Sequence, residues 1–109
     1  MYTVKKTLVI SASHKLTLSY PSKCENLHGH NWEVTLYFRS EHLNADGMVI
    51  DFTEVKRYVM DKFDHKNLNE VVDFNPTAEN LAKYFVDMFP DCYRADVTES
   101  PNNTASYEE

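Results

Sequence analysis

The stretch HGHNWEVTLYF, residues 28–38, repeats with a period of two. Its even-numbered positions carry the bulky or imidazole side chains His28, His30, Trp32, Val34, Leu36 and Phe38. The odd-numbered positions between them carry a glycine, polar residues and one tyrosine. Because successive side chains of a β-strand point to opposite faces, this alternation predicts a strand with one buried face. Two histidines begin that face, so the start of the strand is also the first candidate for a functional site.

Residues 4–14 alternate in the same way and predict an earlier strand with the same inward parity. The inward positions are Val4, Lys6, Leu8, Ile10, Ala12 and His14. The odd positions are mostly lysine, threonine and serine, with Val9 as the exception. A turn is expected at Asp46 and Gly47, after the second strand.

Two later stretches have the spacing of amphipathic helices. The first follows Asp51 as its N-cap, with apolar positions at Phe52, Val55, Val59 and Phe63. The second follows Thr77 as its N-cap, with an apolar stripe at Leu81, Tyr84, Phe85 and Met88. Residues 93–107 alternate again and predict a closing hairpin. Strands, helices and strands in this order predict one α+β domain, residues 1–109, with an antiparallel sheet and both helices on one face.

Composition excludes several classes of function. The 109 residues carry a formal net charge of −6, and their lysines and arginines are scattered, so nucleic-acid binding is not expected. No apolar run is long enough for a membrane span, and the chain is expected to be a soluble cytoplasmic protein. Two cysteines are too few for a disulfide scaffold. Cys92 is expected to be a small buried or turn residue.

Three histidines share the inward register of the first two strands. If these strands pair antiparallel, His14 at the end of the first lies beside His28 and His30 at the start of the second. Three imidazole nitrogens leave one position of a tetrahedral zinc ion open, which is typical of catalytic sites. Cys24 remains an alternative fourth ligand, and it would make the site structural. Gly29 is expected to allow another backbone to approach closely on the outer face.

Six motifs follow one another along the chain: SASHKL, CENLHGHNW, GMVIDF, DHKNLN, NPTAEN and VTES. In this order, and over nearly the whole chain, they resemble the 6-pyruvoyl-tetrahydropterin synthase and 6-carboxy-tetrahydropterin synthase family. The resemblance implies a T-fold, with a four-stranded antiparallel sheet and two helices on one face. Subunits of that fold assemble into a barrel, as trimers or hexamers. It also implies Zn²⁺ on His14, His28 and His30, and a dihydropterin substrate.

The resemblance further implies roles for a catalytic group. Cys24 matches the family's base, which removes a carbon-bound proton from the substrate side chain. Asp64 and His65 match a pair that works with this cysteine, in which Asp64 orients His65 and His65 moves a proton.

Other residues are expected to bind the pterin. Glu99 ends an inward register, and a carboxylate in such a place needs a partner, which the N–H groups of a pterin would provide. By resemblance Glu99 is the pterin anchor. Thr77 and Glu79 match a second pterin-contacting motif, expected at a subunit interface.

The neighbours Cys24 and Glu25 leave the reaction open between members of the family. The spacing Cys-x-x-x-His-Gly-His resembles the 6-carboxy-tetrahydropterin synthases of queuosine (7-deazaguanine) biosynthesis, which act on 7,8-dihydroneopterin triphosphate. The spacing Glu-x-x-His-Gly-His resembles enzymes that cut the side chain to 6-hydroxymethyl-dihydropterin for folate, with Glu25 in the substrate site. The first interpretation is preferred, and 6-pyruvoyl-tetrahydropterin synthesis is a further alternative. A non-enzymatic, zinc-stabilised pterin-binding module, closed by Cys24, is the alternative from another class.

Overall fold

A computed structural model describes all residues from 1 to 109. Five strands, three helices and one 3₁₀ turn make up the chain. In order they are β1 (Tyr2–His14), the 3₁₀ turn (Lys23–Glu25), β2 (His28–Ser40), α1 (Phe52–Phe63), β3 (Lys66–Asn67), α2 (Leu68–Val71), α3 (Ala78–Met88), β4 (Cys92–Ser100) and β5 (Asn103–Glu108). The strands form one sheet in the order β3-β1-β2-β4-β5. The α+β class is therefore confirmed, and no helix has the length and apolar character needed to cross a membrane.

The predictions of four strands, of a wholly antiparallel sheet and of two helices were wrong. The fifth strand, β3, has two residues and runs parallel to β1, pairing through Ala12 with Lys66 and Ser13 with Asn67. The additional helix, α2, is a single turn capped by the Asn67 side chain. Neither element is long enough to show a period in the sequence, which is why the pattern did not reveal them.

The first two strands pair without interruption. Their register runs from Tyr2 opposite Ser40 to His14 opposite His28, with no bulge. The inward parity expected for both strands therefore holds along their whole length, and it brings the three histidines to one corner of the sheet.

Side chains of one sheet face meet the helices and form the core. The inward residues Trp32, Leu36 and Phe38 are fully buried in it. Val55, Val59 and Phe63 of α1 are buried as predicted, whereas Phe52 is exposed. Phe52 differs because it is the first residue after the Asp51 cap, where the helix is only beginning.

The face of the sheet away from the helices is open. The opposite face of the sheet packs against the helices in the core, whereas Val9 on the outer face is 52% exposed. Gly29 lies on this outer face, and a Cβ built there would find its nearest atom at 3.9 Å, the carbonyl oxygen of Ala12. The close backbone approach expected at Gly29 does not occur within the chain.

Two further local predictions are confirmed. Gly47 adopts a φ of +79° in the turn after β2, a conformation that glycine takes without strain. Cys92 is buried, and this burial raises the pKa of its thiol to about 11, so it remains a protonated core residue.

Candidate metal centre and active site

His14, His28 and His30 meet at the corner where β1 ends and β2 begins. The ring centroid of His14 lies 4.6 Å from that of His28 and 5.1 Å from that of His30. The ring centroids of His28 and His30 are 4.8 Å apart. His14 is fully buried, while His28 and His30 are partly exposed. The three imidazoles that the sequence placed on one register therefore form one cluster.

Backbone carbonyls fix the orientation of two of these rings. Nδ1 of His14 lies 2.9 Å from the carbonyl oxygen of Pro76, and Nδ1 of His28 lies 2.7 Å from that of Asn26. A carbonyl only accepts, so each Nδ1 carries a proton, and in the neutral form of the ring Nε2 then presents its lone pair. This is the orientation that outer-shell hydrogen bonds give to metal-binding histidines.

The nitrogens turned toward the middle of the cluster fit a metal ion. Nε2 of His14 and Nε2 of His30 are both buried, and neither has a hydrogen-bond partner. Burial lowers the pKa of His14, which keeps its imidazole neutral, as a metal ligand must be. Imidazoles suit zinc and other divalent transition metals, so the donor set can hold such an ion.

A tryptophan forms the inner wall of the cluster. The Trp32 ring lies edge-on at centroid distances of 4.8 Å from His14 and 5.3 Å from His30, and its Nε1 donates to the Ala12 carbonyl at 3.2 Å. Trp32 is completely buried and excludes water from this side of the histidines. The alternation in the sequence placed Trp32 beside His30, but the supporting carbonyls of Pro76 and Asn26 give no sequence signal.

Two asparagines hold the segment that leads from His14 toward Cys24. Asn69 accepts from the Lys15 backbone N–H at 2.8 Å and donates to the Lys15 carbonyl at 3.0 Å. Asn75 makes the same pair of bonds with Thr17, at 2.9 and 3.0 Å. These asparagines belong to the motifs DHKNLN and NPTAEN, so both motifs have a structural role in shaping the site.

Cys24 lies beside the histidines on the 3₁₀ turn. Ser22 caps this turn by accepting from the Cys24 N–H at 3.1 Å. Cys24 is half-buried and lines a pocket of about 490 Å³ together with Lys23, His28 and His30. Four side chains have ligand atoms that lie within 4.8 Å of one another, namely the three histidines and a glutamate. Cys24 is not part of this group.

That glutamate is Glu99, at the end of β4. Its Oε1 lies 2.8 Å from Nε2 of His30 and 3.5 Å from Nε2 of His14. The sequence predicted that Glu99 would face inward and have a partner, and the structure places it against two of the three clustered histidines. Glu99 also lines a second, adjoining pocket of about 260 Å³, which includes Glu79 and Asn103.

The other two candidate contact residues occupy different places. Thr77 caps α3 by accepting from the Asn80 N–H at 3.1 Å, so its hydroxyl has a structural role. Glu25 is exposed and does not line the pocket beside Cys24.

Asp64 and His65 are not among the side chains whose ligand atoms converge. Asp64 accepts from the Ser11 backbone N–H at 2.8 Å and contacts Nδ1 of His65 at 2.8 Å. The Ser11 N–H, followed by His65, lowers the pKa of Asp64 and keeps it charged. His65 is 82% exposed and lines a pocket with the outward-facing residues Ser13 and Asn31. Within one chain, His65 and Cys24 thus line different pockets, and His30 lines both of them.

Comparison with known proteins places this chain in a family. The family model described as 6-pyruvoyl tetrahydropterin synthase matches residues 3–109. The 6-pyruvoyl tetrahydrobiopterin synthase of Homo sapiens is 33% identical, over 95% of this chain and 89% of its own length. The 6-carboxy-5,6,7,8-tetrahydropterin synthase of Bacillus subtilis is 27% identical, over 97% of this chain and 84% of its own length.

A solved structure agrees with the sequence comparison. The 6-pyruvoyl tetrahydropterin synthase of Caenorhabditis elegans superposes with a TM-score of 0.78 at 29% identity, covering 99% of this chain and 95% of its own. The family model matches nearly the whole chain, the human enzyme is 33% identical to it, and the Caenorhabditis elegans structure has the same fold. The chain therefore belongs to the 6-pyruvoyl tetrahydropterin synthase family.

Proposed function

We propose that this protein is a zinc-dependent lyase that converts 7,8-dihydroneopterin triphosphate to 6-carboxy-5,6,7,8-tetrahydropterin, in the route to queuosine and other 7-deazaguanines. The observation that carries the proposal is the half-buried Cys24 in one pocket with two histidines of a cluster suited to metal binding. Family membership supports the wider class, because enzymes of this family act on pterins.

His14, His28 and His30 would hold the zinc ion through their Nε2 atoms. Bound there, zinc supplies a Lewis acid for the side-chain oxygens of the substrate, makes the neighbouring C–H more acidic and favours a cysteine thiolate nearby. Cys24 then removes the carbon-bound proton as the general base. Trp32 and the buried position of His14 exclude water from the inner side of the reacting centre.

Substrate binding would use the groups around this pocket. Glu99 can accept two parallel hydrogen bonds from a pterin, and Glu79 lines the adjoining pocket for the same ring system. Lys23 is the one lysine or arginine among the residues that line the pocket with Cys24, and it would contact the triphosphate. This local cation offsets part of the repulsion between an anionic substrate and a chain with a net charge of −6.

Two observations favour this reaction over the alternatives. Glu25 lies outside the pocket, which disfavours cleavage to 6-hydroxymethyl-dihydropterin by a glutamate at that place. Cys24 is not among the converging ligand atoms, which disfavours a closed structural site made by this cysteine. The pyruvoyl and carboxy products differ in the fate of the side chain and therefore in mass.

Product identification tests the proposed reaction. The purified, zinc-loaded protein would be incubated with 7,8-dihydroneopterin triphosphate, and the pterins would be quantified by mass spectrometry. We expect 6-carboxy-5,6,7,8-tetrahydropterin as the main product. A main product with the mass of 6-pyruvoyl-tetrahydropterin or of 6-hydroxymethyl-dihydropterin would contradict the proposal and assign the corresponding alternative.

Asp64 and His65 would act in the site of a neighbouring copy. The β3 strand pairs with only Ala12 and Ser13 of β1, so the rest of that edge is open, and β5 is the other edge of the sheet. Open edges favour pairing between copies. The Asp64–His65 pair lies at the β1 edge, and the catalytic pocket includes Asn103 of β5. Joining these edges in a homo-oligomer, a trimer or hexamer, would bring one copy's pair toward the next copy's Cys24.

Mixed oligomers test this shared site. Cys24→Ala and His65→Ala proteins are each expected to have little activity, and dissociating and reassembling them together should restore it. About one quarter of the sites in a random equal mixture would combine an intact Cys24 with an intact His65 from the neighbouring copy.

A mixture of Cys24→Ala with His28→Ala is the matched control. Both of these residues come from the same copy, so mixing should restore nothing. If neither mixture regains activity, the shared site is contradicted. A fully active protein that light scattering shows to be a monomer would contradict it as well.

A further inference from the structure

We propose that Glu99 is the fourth protein ligand of the metal when no pterin is bound, and that metal and pterin compete for its carboxylate. The inference rests on the proposed function for the identity of the ligands. It adds to that function a coupling between metal binding and substrate binding.

The distances at Glu99 match the spacing of ligands around one ion. Its Oε1 lies 2.8 Å from Nε2 of His30 and 3.5 Å from Nε2 of His14. Two ligand atoms at about 2.1 Å from one tetrahedral zinc ion are about 3.4 Å apart, a value that falls between these distances. All four ligand atoms of the cluster lie within 4.8 Å of one another, so small side-chain rotations would close the shell.

The direction of the groups supports the same conclusion. Glu99 is close to both histidines, yet the buried Nε2 atoms of His14 and His30 have no hydrogen-bond partner. The carboxylate oxygen is therefore near the nitrogens without being aligned with them as an acceptor. Imidazole nitrogens and a carboxylate oxygen that converge without an aligned hydrogen bond are arranged as ligands of a shared cation.

The backbone at Glu99 gives its side chain a special direction. Thr98 pairs with Thr104 and Ser100 pairs with Asn103, so Glu99 is the extra residue of a β-bulge between them. Bulges re-aim a side chain and occur often beside active sites. Here the bulge places the carboxylate at the boundary of the two pockets, one with the histidines and one with Glu79.

The carboxylate cannot serve both ligands fully at once. A pterin held by two parallel hydrogen bonds uses both oxygens of Glu99 as acceptors. An oxygen bound to zinc has less electron density to accept with, and its position is fixed by the ion. Pterin binding would thus draw Glu99 from the metal and open the coordination position that the reaction needs, whereas a permanently closed shell is typical of a structural site.

Metal affinity, measured without any turnover, tests the proposal. Zinc affinity would be determined by competition with a chromophoric chelator, with and without saturating 6-methylpterin, a probe that lacks the side-chain hydroxyls. Glu99→Gln is expected to lower zinc affinity by at least about tenfold, since even an outer-shell partner typically accounts for about 10- to 100-fold. Saturating 6-methylpterin should weaken zinc binding to the unsubstituted protein by a comparable factor, and zinc should weaken pterin binding equally.

Glu33→Gln is the matched control for charge, because Glu33 lies exposed on the outer face, and it should leave zinc affinity unchanged. Cobalt(II) provides a measurement that needs no variant, since its visible absorption reports the ligand set. Adding 6-methylpterin to the cobalt-loaded protein should change that spectrum.

Different outcomes separate this inference from the proposed function. Zinc binding to Glu99→Gln that is as tight as to the unsubstituted protein overturns the ligand assignment. A pterin that binds, by its fluorescence, without changing the zinc affinity or the cobalt spectrum overturns the competition. A protein that fails to bind 6-methylpterin overturns the competition and also the pterin site of the proposed function, while the zinc affinity of Glu99→Gln still decides the ligand assignment.

Discussion

Replacing His28 with alanine is expected to lower zinc affinity by more than about 100-fold, exceeding the typical cost of losing an outer-shell partner. Cys24→Ala is expected to retain the metal. The reason is geometric, because His28 belongs to the group of converging ligand atoms and Cys24 does not. Metal content after gel filtration, measured by mass spectrometry of the dissolved protein, would show the difference.

Thermal unfolding gives a second measurement of the same effect. A metal that binds only the folded state raises its stability, so zinc should raise the Tm of the unsubstituted protein and of Cys24→Ala. It should raise the Tm of His28→Ala much less. His42→Ala is the matched control, because His42 is an exposed histidine outside the cluster. Equal loss of metal from Cys24→Ala and His28→Ala would place the thiol in the coordination shell and contradict its role as a base.

The cluster of three histidines could be predicted from sequence because strand parity fixes it. An alternating pattern determines which side chains share a face, and an unbroken antiparallel pair places His14 opposite His28. The same reasoning located Glu99 on the inward register of β4. It could not show that Glu99 is the extra residue of a bulge or that its carboxylate reaches His30, since a bulge depends on hairpin geometry that no single residue specifies.

Other parts of the site lay beyond pattern reasoning. The carbonyls of Pro76 and Asn26 orient two histidines, and a backbone group is present at every residue whatever the sequence. Asp64 and His65 follow α1 directly, yet the left-handed conformation of His65, with φ of 58°, sends the chain into β3 on the outer edge of the sheet. Sequence proximity to a helix end gives no information on which edge of the sheet the next residues reach.

Cys24→Ala is expected to reduce formation of 6-carboxy-5,6,7,8-tetrahydropterin by about 10²- to 10⁴-fold, the usual contribution of a general base. Glu25→Ala is expected to leave both the rate and the product distribution nearly unchanged. Each variant would be incubated with 7,8-dihydroneopterin triphosphate, and the carboxy and hydroxymethyl products would be quantified by mass spectrometry. Glu25→Gln, which keeps the size of the side chain, is the matched control for charge at this position.

The different expectations for the two neighbours follow from the 3₁₀ turn that carries them. Its successive side chains are about 120° apart, so when Cys24 faces the pocket, Glu25 faces solvent. Moving Glu25 into the place of Cys24 would require rotating the turn, which would break the bond from the Cys24 N–H to Ser22 and the bond from the Leu16 N–H to the Cys24 carbonyl. Hydroxymethyl product that forms in Cys24→Ala and disappears when Glu25 is also replaced would show that the turn does rotate, and it would restore the folate-type reaction as a second activity of this site.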